Sequence, residues 1–184
     1  METCDSKRPS GQVSRRRLIW QLGACAAALA ALIGCGLAVA ATEGKPAPSI
    51  RAKLLDGTSF KLSEKPGQVV VVHMWATWCL PCREEMPVLD AYYRQHREQG
   101  LVLIALSMDE AKDASRVREL TKAYSFPIGL AQDAEMSGYG RIWQLPLTFV
   151  IDRGGILRKD QWHGDPGLNA QSLEQTLTPL LTGP

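Results

Sequence analysis

Two cysteines separated by two residues, Cys79 and Cys82, are the side chains of this sequence with the clearest capacity for chemistry. They follow the apolar run 69–72, which indicates a buried strand, and Pro81 lies between them. If a helix begins at Cys79, the free backbone N–H groups and the dipole of its first turn lower the pKa of that thiol. Cys82 lies one turn further along the same helix face and can attack a disulfide formed at Cys79. The spacing therefore predicts Cys79 as the nucleophile and Cys82 as the resolving thiol.

Three kinds of site contain a cysteine pair of this form. A structural disulfide between residues this close constrains the unfolded chain little. A metal site needs further ligands, and no second cysteine pair or His-x-x-x-His pattern follows. A cysteine pair placed between a strand and a helix is typical of proteins that carry out thiol–disulfide exchange. We therefore expect a redox-active disulfide, with no metal and no cofactor.

The first 42 residues differ in composition from the rest of the chain. They carry five Lys/Arg and two Asp/Glu, which leaves sixteen and seventeen for residues 43–184. A basic stretch ending at Arg17 precedes residues 18–42, which contain no charge. This pattern is typical of an export signal or a single-pass membrane anchor, with the following domain outside the bacterial cytoplasmic membrane. The sequence around Cys35 resembles a lipidation site and Ala38-Val39-Ala40 suits cleavage, so retained, cleaved and lipidated forms stay open.

Residues 43–184 carry the pattern of one α/β domain, and residues 42–49, with two prolines, are predicted to be a short linker. Asp56-Gly57 predicts the tight turn of a β-hairpin over 50–62. Further strands are expected at 69–74, 101–106, 126–130, 145–152 and 156–162, the last pair antiparallel, and helices from Cys79, over 114–124 and over 168–181. The near-neutral charge of this domain argues against nucleic acid as a partner.

The segment VVVVHMWATWCLPCREEMPVLD and the later LPLTFVID resemble the membrane-anchored thioredoxin-like reductases of the TlpA and ResA group, over roughly residues 44–180. The resemblance implies a thioredoxin-like α/β fold, a mixed sheet flanked by helices with an added N-terminal β-hairpin. It also implies that Pro146 is cis and faces the cysteines, and that Trp78, Leu145 and Pro146 form the substrate-binding contacts with the partner peptide. Leu147 departs from the threonine common in the group, which concerns the choice of partner more than the chemistry.

Other side chains near the cysteines have two interpretations each. His73 stands where the resembled group usually has asparagine; it can accept the Cys82 proton as a neutral imidazole, or be a hydrogen-bonded core residue. Glu110 matches the position of an acid that in the group raises a thiol pKa by like-charge repulsion, and it also fits an ordinary exposed loop acid. Glu84 and Glu85 are predicted to be solvated acids of the first helical turn.

The resemblance implies thiol–disulfide exchange on extracytoplasmic proteins, with reducing equivalents supplied by an upstream membrane thiol donor. Its implied substrates are the haem-site cysteines of apocytochrome c or the copper-site cysteines of an oxidase. One alternative is a peroxiredoxin-like peroxidase, which needs a threonine where this chain has Ala76. A second is a copper-binding or copper-delivery module, since paired thiols hold Cu(I). The direction of electron flow is not determined by these residues, because related dithiols span a wide range of reduction potential.

Overall fold

The computed structural model describes residues 40–163 and 167–183, which are built around one seven-stranded mixed sheet. The strands are β1 (Arg51–Leu54), β2 (Ser59–Lys61), β3 (Val69–Trp75), β4 (Leu101–Ser107), β5 (Ile128–Glu135), β6 (Leu147–Ile151) and β7 (Leu157–Trp162). The helices are α1 (Leu80–His96), α2 (Ala114–Thr121) and α3 (Ala170–Thr182). The strand order is β2-β1-β5-β4-β3-β6-β7, with β3, β4 and β5 parallel and the other pairings antiparallel. The predicted mixed sheet with flanking helices is confirmed.

The core lies on both faces of β3, whose seven residues are all buried. Alternate residues of a strand point to opposite faces. Val69, Val71 and Trp75 pack with buried residues of the three helices, whereas Val70 and Val72 pack in a second apolar cluster. That second cluster includes side chains of β1, β2 and β6. His73 lies on the strand between Val71 and Trp75 and therefore on the face that the helices cover.

The predicted N-terminal hairpin is present as β1 and β2. Asp56 shapes its turn, because one carboxylate oxygen accepts hydrogen bonds from the backbone N–H of Thr58 at 2.9 Å and from its hydroxyl at 2.7 Å. Gly57 has φ of 89°, a left-handed conformation that glycine adopts without strain. β1 also pairs with β5, so the hairpin extends the sheet along one side.

The stretch predicted as a linker, residues 42–49, is hydrogen-bonded to the sheet. The N–H of Gly44 donates to the carbonyl of Leu157 at 2.8 Å, and the N–H of Leu157 donates to the carbonyl of Lys45 at 2.9 Å. Pro46 forms an isolated antiparallel bridge with Ile156. Residues 44–46, in the extended conformation that proline favours, therefore pair with the start of β7.

The helix predicted over 114–124 is shorter than expected and ends at Thr121. Val117 is fully buried, but Leu120, three residues later at helical spacing, is 36% exposed. Helical spacing identifies one buried stripe, and only tertiary packing decides how wide that stripe is.

The expected export signal or anchor at 1–42 lies almost wholly outside the described residues, so it stays a prediction, as does the boundary at residue 43. Within the ranges 40–163 and 167–183, no helix is both long and apolar enough to cross a membrane.

Candidate active site

The two cysteines form a disulfide at the start of α1, with their Cα atoms 5.3 Å apart. Cys79 is the N-cap residue of this helix, one position before the first turn in which it was expected, and its Sγ accepts a hydrogen bond from the Cys82 N–H at 3.3 Å. Cys79 is 7% exposed and Cys82 is fully buried. Once the bond is reduced, Sγ of Cys79 lies where unpaired helix N–H groups favour an anion. The geometry therefore agrees with Cys79 as the attacking thiol and Cys82 as the inner one.

The peptide bond between Leu145 and Pro146 is cis, as predicted. Leu145 is partly buried and packs against both apolar clusters, one of which contains Cys79 and Cys82. His163 Nδ1 lies 2.6 Å from the carbonyl oxygen of Pro146, and because that oxygen can only accept, Nδ1 carries the proton. No sequence pattern singled out His163. The partner-binding roles of Leu145 and Pro146 stay predictions.

Large apolar side chains are exposed next to the cysteines. Trp78 is 68% exposed, and Leu80, on the other side of Cys79, is 62% exposed. Trp143, three residues before Pro146 in the chain, is 74% exposed. Exposed apolar groups around a reactive bond indicate a surface that contacts other molecules. The predicted role of Trp78 in substrate binding is consistent with this exposure.

Glu85 is buried, and the prediction that it is a solvated acid is wrong. It is 6% exposed, and its Oε1 accepts a hydrogen bond from the backbone N–H of Leu168 at 3.0 Å. The reason is its helical position: it shares a face with Cys82 and Met86, both buried against the sheet. Burial raises the pKa of Glu85 to about 7, although the Leu168 N–H acts in the opposite direction. Its neighbour Glu84 is exposed, as predicted.

His73 faces Glu85 from β3. Its Nδ1 lies 3.0 Å from the hydroxyl oxygen of Thr148 on β6, and its Nε2 lies 3.9 Å from Oε2 of Glu85. Neither Nε2 nor Oε2 has a hydrogen-bond partner among the described residues. Burial lowers the pKa of His73 to about 3, so the imidazole is neutral near pH 7. The pair is therefore not an ion pair; it is a neutral base beside an acid whose ionisation lies near neutrality.

A second buried acid, Asp109, contacts the loop that leads into Cys79. Its carboxylate accepts from the backbone N–H of Thr77 at 2.8 Å, from the Thr77 hydroxyl at 2.6 Å, and from the hydroxyl of Ser107. Burial by itself would raise the pKa of Asp109, but the hydrogen bonds from Ser107 and Thr77 outweigh it and hold that pKa below its ordinary value. Asp109 is therefore a charged group fixed to the active-site loop.

Glu110, the acid that the sequence singled out, is exposed. Its side chain is 72% accessible and its Oε2 lies 2.9 Å from Nζ of Lys112. Of two adjacent acids, the structure thus attaches Asp109, and not Glu110, to the residues before Cys79 by hydrogen bonds. The tuning role of Glu110 stays a prediction.

Among the residues that the structure describes, no three His, Cys, Asp or Glu side chains are grouped so as to hold a metal ion. What the arrangement provides is a disulfide that can open and close, an N–H-rich position for a thiolate, and a nearby acid able to exchange a proton near pH 7.

Comparison with known proteins agrees with this site. Residues 44–160 match the AhpC/TSA family. A thiol-disulfide oxidoreductase ResA of Bacillus cereus is 34% identical over 114 residues, which are 61% of this chain and 65% of that protein. The chain thus spans slightly less than two thirds of that relative's length. ResA of Geobacillus thermodenitrificans is 32% identical over 123 residues, 65% of this chain and 69% of the relative.

Solved structures show the same fold. A thiol:disulfide interchange protein of the thioredoxin family from Chlorobium tepidum is similar with a TM-score of 0.64 and 22% identity, over 77% of this chain and 99% of that one. The thioredoxin domain of a thiol-disulfide oxidoreductase from Bacteroides vulgatus has a TM-score of 0.59 and 26% identity, over 73% of this chain and 96% of that one. The matched residues, the fold and the cysteine pair agree, and the chain belongs to the AhpC/TSA family as a thioredoxin-like domain similar to ResA.

Proposed function

We propose that this protein is a thiol–disulfide oxidoreductase that reduces disulfides of partner proteins outside the cytoplasmic membrane. The observation that carries the proposal is the Cys79–Cys82 disulfide at the N-terminus of α1. The burial of Cys82 behind Cys79 and the similarity to proteins named ResA support it.

The reaction has two exchange steps. The Cys79 thiolate attacks one sulfur of a partner disulfide; a mixed disulfide forms, and the other partner sulfur leaves as a thiolate and takes up a proton. Cys82 then loses its proton and attacks Sγ of Cys79, which closes the Cys79–Cys82 disulfide and releases the second partner thiol. Two electrons pass to the partner, and an upstream membrane thiol donor must return them to the cysteines.

Glu85 is the group best suited to accept the Cys82 proton. It follows Cys82 by three residues on the same helix face, and its pKa of about 7 is matched to proton exchange near neutral pH. His73, for which the sequence left open either this role or that of a core residue, has a pKa of about 3 and binds a proton too weakly at neutral pH. We assign His73 the role of a neutral neighbour of the Glu85 carboxyl, 3.9 Å from its Oε2.

The location and the partners are part of the proposal. The basic stretch ending at Arg17 and the uncharged residues 18–42 support a domain held or exported beyond the cytoplasmic membrane. The cysteines of apocytochrome c haem sites and of oxidase copper sites are candidate substrates through the resemblance to the TlpA and ResA group. The exposed Trp78 and Leu80 suit a partner whose disulfide is flanked by apolar residues.

The test uses the full chain, reduced with dithiothreitol and then freed of it, mixed with a protein disulfide such as that of insulin. The wild type should reduce it stoichiometrically, Cys82→Ser should accumulate a mixed disulfide at Cys79, and Cys79→Ser should do neither. The reduction potential, from equilibration with glutathione, should lie near that of thioredoxin, about −270 mV. A potential near the oxidising value of about −120 mV would make the protein a disulfide donor and overturn the proposal. Catalytic peroxide consumption would favour the peroxidase alternative.

A further inference from the structure

Asp109 places a buried negative charge next to the loop that carries the nucleophile. Asp109 is 6% exposed, and it binds both the N–H and the hydroxyl of Thr77. Thr77 is two residues before Cys79, so their Cα atoms are at most about 7.6 Å apart. Thr77 and Ser107 are themselves buried, with 1% and no exposure, so water screens this charge little.

We propose that Asp109 shifts the Cys79–Cys82 couple toward the reducing side, because its buried carboxylate, held by Thr77 and Ser107, repels the negative charge of the Cys79 thiolate. The repulsion acts only in the reduced protein, since the disulfide carries no charge. Destabilising the reduced form lowers the reduction potential. In a strongly oxidising dithiol couple the opposite holds, because the thiolate is stabilised.

The hydrogen bonds make Asp109 a permanent charge. Its carboxylate accepts from three donors, and its own N–H donates to the Ser107 hydroxyl oxygen at 3.1 Å, so the cluster is closed on itself. The pKa of Asp109 lies below its ordinary value, with a smaller contribution from the Arg116 charge on α2. Asp109 is therefore ionised at neutral pH.

Other charges near the start of α1 do not duplicate this role. Arg83 and Glu84 lie on the exposed side of the helix, and Glu85 is held on the opposite, buried side with neutral His73. Glu110, adjacent to Asp109, is exposed beside Lys112. These groups are unchanged in Asp109 variants, so the effect of one charge can be isolated.

The principal experiment compares Asp109→Asn with Glu110→Gln in the full chain, since each removes one negative charge from the same loop. Equilibrated with glutathione at a pH above the alkylation midpoints of both proteins, Asp109→Asn should change the dithiol–disulfide equilibrium constant about tenfold toward the dithiol, which corresponds to about 30 mV. The pH midpoint of Cys79 alkylation should fall by about one unit. Glu110→Gln should change the constant less than twofold; an equal or larger change in Glu110→Gln would overturn the assignment.

Two further variants separate charge from tethering. Thr77→Val removes the hydroxyl bond but keeps the carboxylate charge, so it should lower stability and leave the equilibrium constant within twofold. If Thr77→Val reproduces the shift of Asp109→Asn, Asp109 acts by positioning the loop, and the proposed repulsion is wrong. Arg116→Gln removes an exposed cation that acts on Asp109 without touching the cluster. Asp109 keeps its charge in this variant, so the equilibrium constant should stay within twofold of wild type, and a tenfold change in Arg116→Gln would overturn the proposal even if Asp109→Asn fails to fold.

This inference rests on the proposed function for its direction, because a reducing couple is useful to a reductase. The comparison between variants does not depend on the wild-type potential. If the wild-type potential is oxidising but Asp109→Asn still shifts the equilibrium constant, the reductase function is rejected and the role of Asp109 is kept. If the wild-type potential is reducing and Asp109→Asn causes no shift, the role of Asp109 is rejected and the reductase function is kept.

Discussion

Asp109 and Glu85 are both buried carboxyl groups close to the active-site cysteines, yet their surroundings give them opposite properties. Asp109 receives three hydrogen bonds, and its pKa lies below the ordinary value. Glu85 receives one hydrogen bond, from Leu168, and its other oxygen faces Nε2 of neutral His73; its pKa rises to about 7. Burial is common to both, so the number of donors decides which carboxyl is charged. One site holds a fixed charge and the other exchanges a proton.

The largest effect that follows from this difference is expected in the second exchange step. Glu85→Gln removes the proton acceptor, and loss of a general base commonly costs at least about a hundredfold in rate. The substrate is a fluorescent peptide disulfide, and stopped flow measures the release of its second thiol. We expect this release to slow by about that factor in Glu85→Gln. The increase of the wild-type rate as pH rises through about 7 should also disappear.

Glu84→Gln is the matched control for this experiment, because Glu84 is the exposed acid next in sequence. Its rate should stay within twofold of wild type. If Glu85→Gln is as fast as Glu84→Gln, the proton of Cys82 leaves by another route, and the contrast between the two buried acids has no catalytic meaning.

The pH dependence of stability should show a pair of opposing contributions. Glu85 has a pKa of about 7 in the folded protein and an ordinary pKa of 4.5. Its stabilising contribution to the free energy of unfolding is therefore present below pH 4.5 and is lost as pH rises to about 7. His73 has a folded pKa of about 3 against 6.5, so the penalty for keeping it neutral disappears as pH rises from 3 to 6.5. Between pH 4.5 and 6.5 the two slopes cancel.

Urea denaturation of the oxidised protein at several pH values measures this cancellation. Of these two contributions, Glu85→Gln keeps only that of His73. As pH rises from 4.5 to 7, the free energy of unfolding of the variant should therefore increase by about 3 kcal/mol relative to that of the wild type. The difference between Glu84→Gln and wild type should not change over that interval. A constant difference between Glu85→Gln and wild type would show that Glu85 is ionised in the folded protein.

The smallest effect distinguishes the two clusters by single hydroxyl deletions. Thr77→Val removes a bond to the charged Asp109 and should cost about 2 kcal/mol of unfolding free energy. Thr148→Val removes a bond to neutral His73 and should cost about 1 kcal/mol. Chemical denaturation of both variants at pH 7 provides the comparison. A larger loss for Thr148→Val would contradict the charge states given to the two clusters.

Much of the fold follows from short-range signals. Asp56-Gly57 has the turn chemistry of a hairpin, and residues 69–74 form an uninterrupted buried strand. The spacing of Cys79 and Cys82 around Pro81 identifies a helix start. Each of these features depends on residues close in sequence, and each is found within one residue of the expected position.

The two buried acids depend on distant partners and were not found in advance. Glu85 is bonded to Leu168, 83 residues later, and Thr77 to Asp109, 32 residues later. A signal for Glu85 existed, because it has helical spacing with Cys82 and Leu89 and thus belongs to the buried stripe. Asp109 and Glu110 are adjacent acids in one loop, and sequence spacing does not show which of them turns inward.

The N-terminal segment that pairs with β7 has a consequence for association between copies of the protein. An open sheet edge presents unpaired N–H and C=O groups that another chain can bind, and such edges promote aggregation. Backbone bonds from Gly44 and Lys45 occupy the start of the β7 edge, and the Glu43 carboxylate accepts the N–H of Asp160 further along it. The residues that lead into the domain therefore also cover the edge of β7. A truncated protein that begins after Ala47 should expose this edge and associate with other copies of itself.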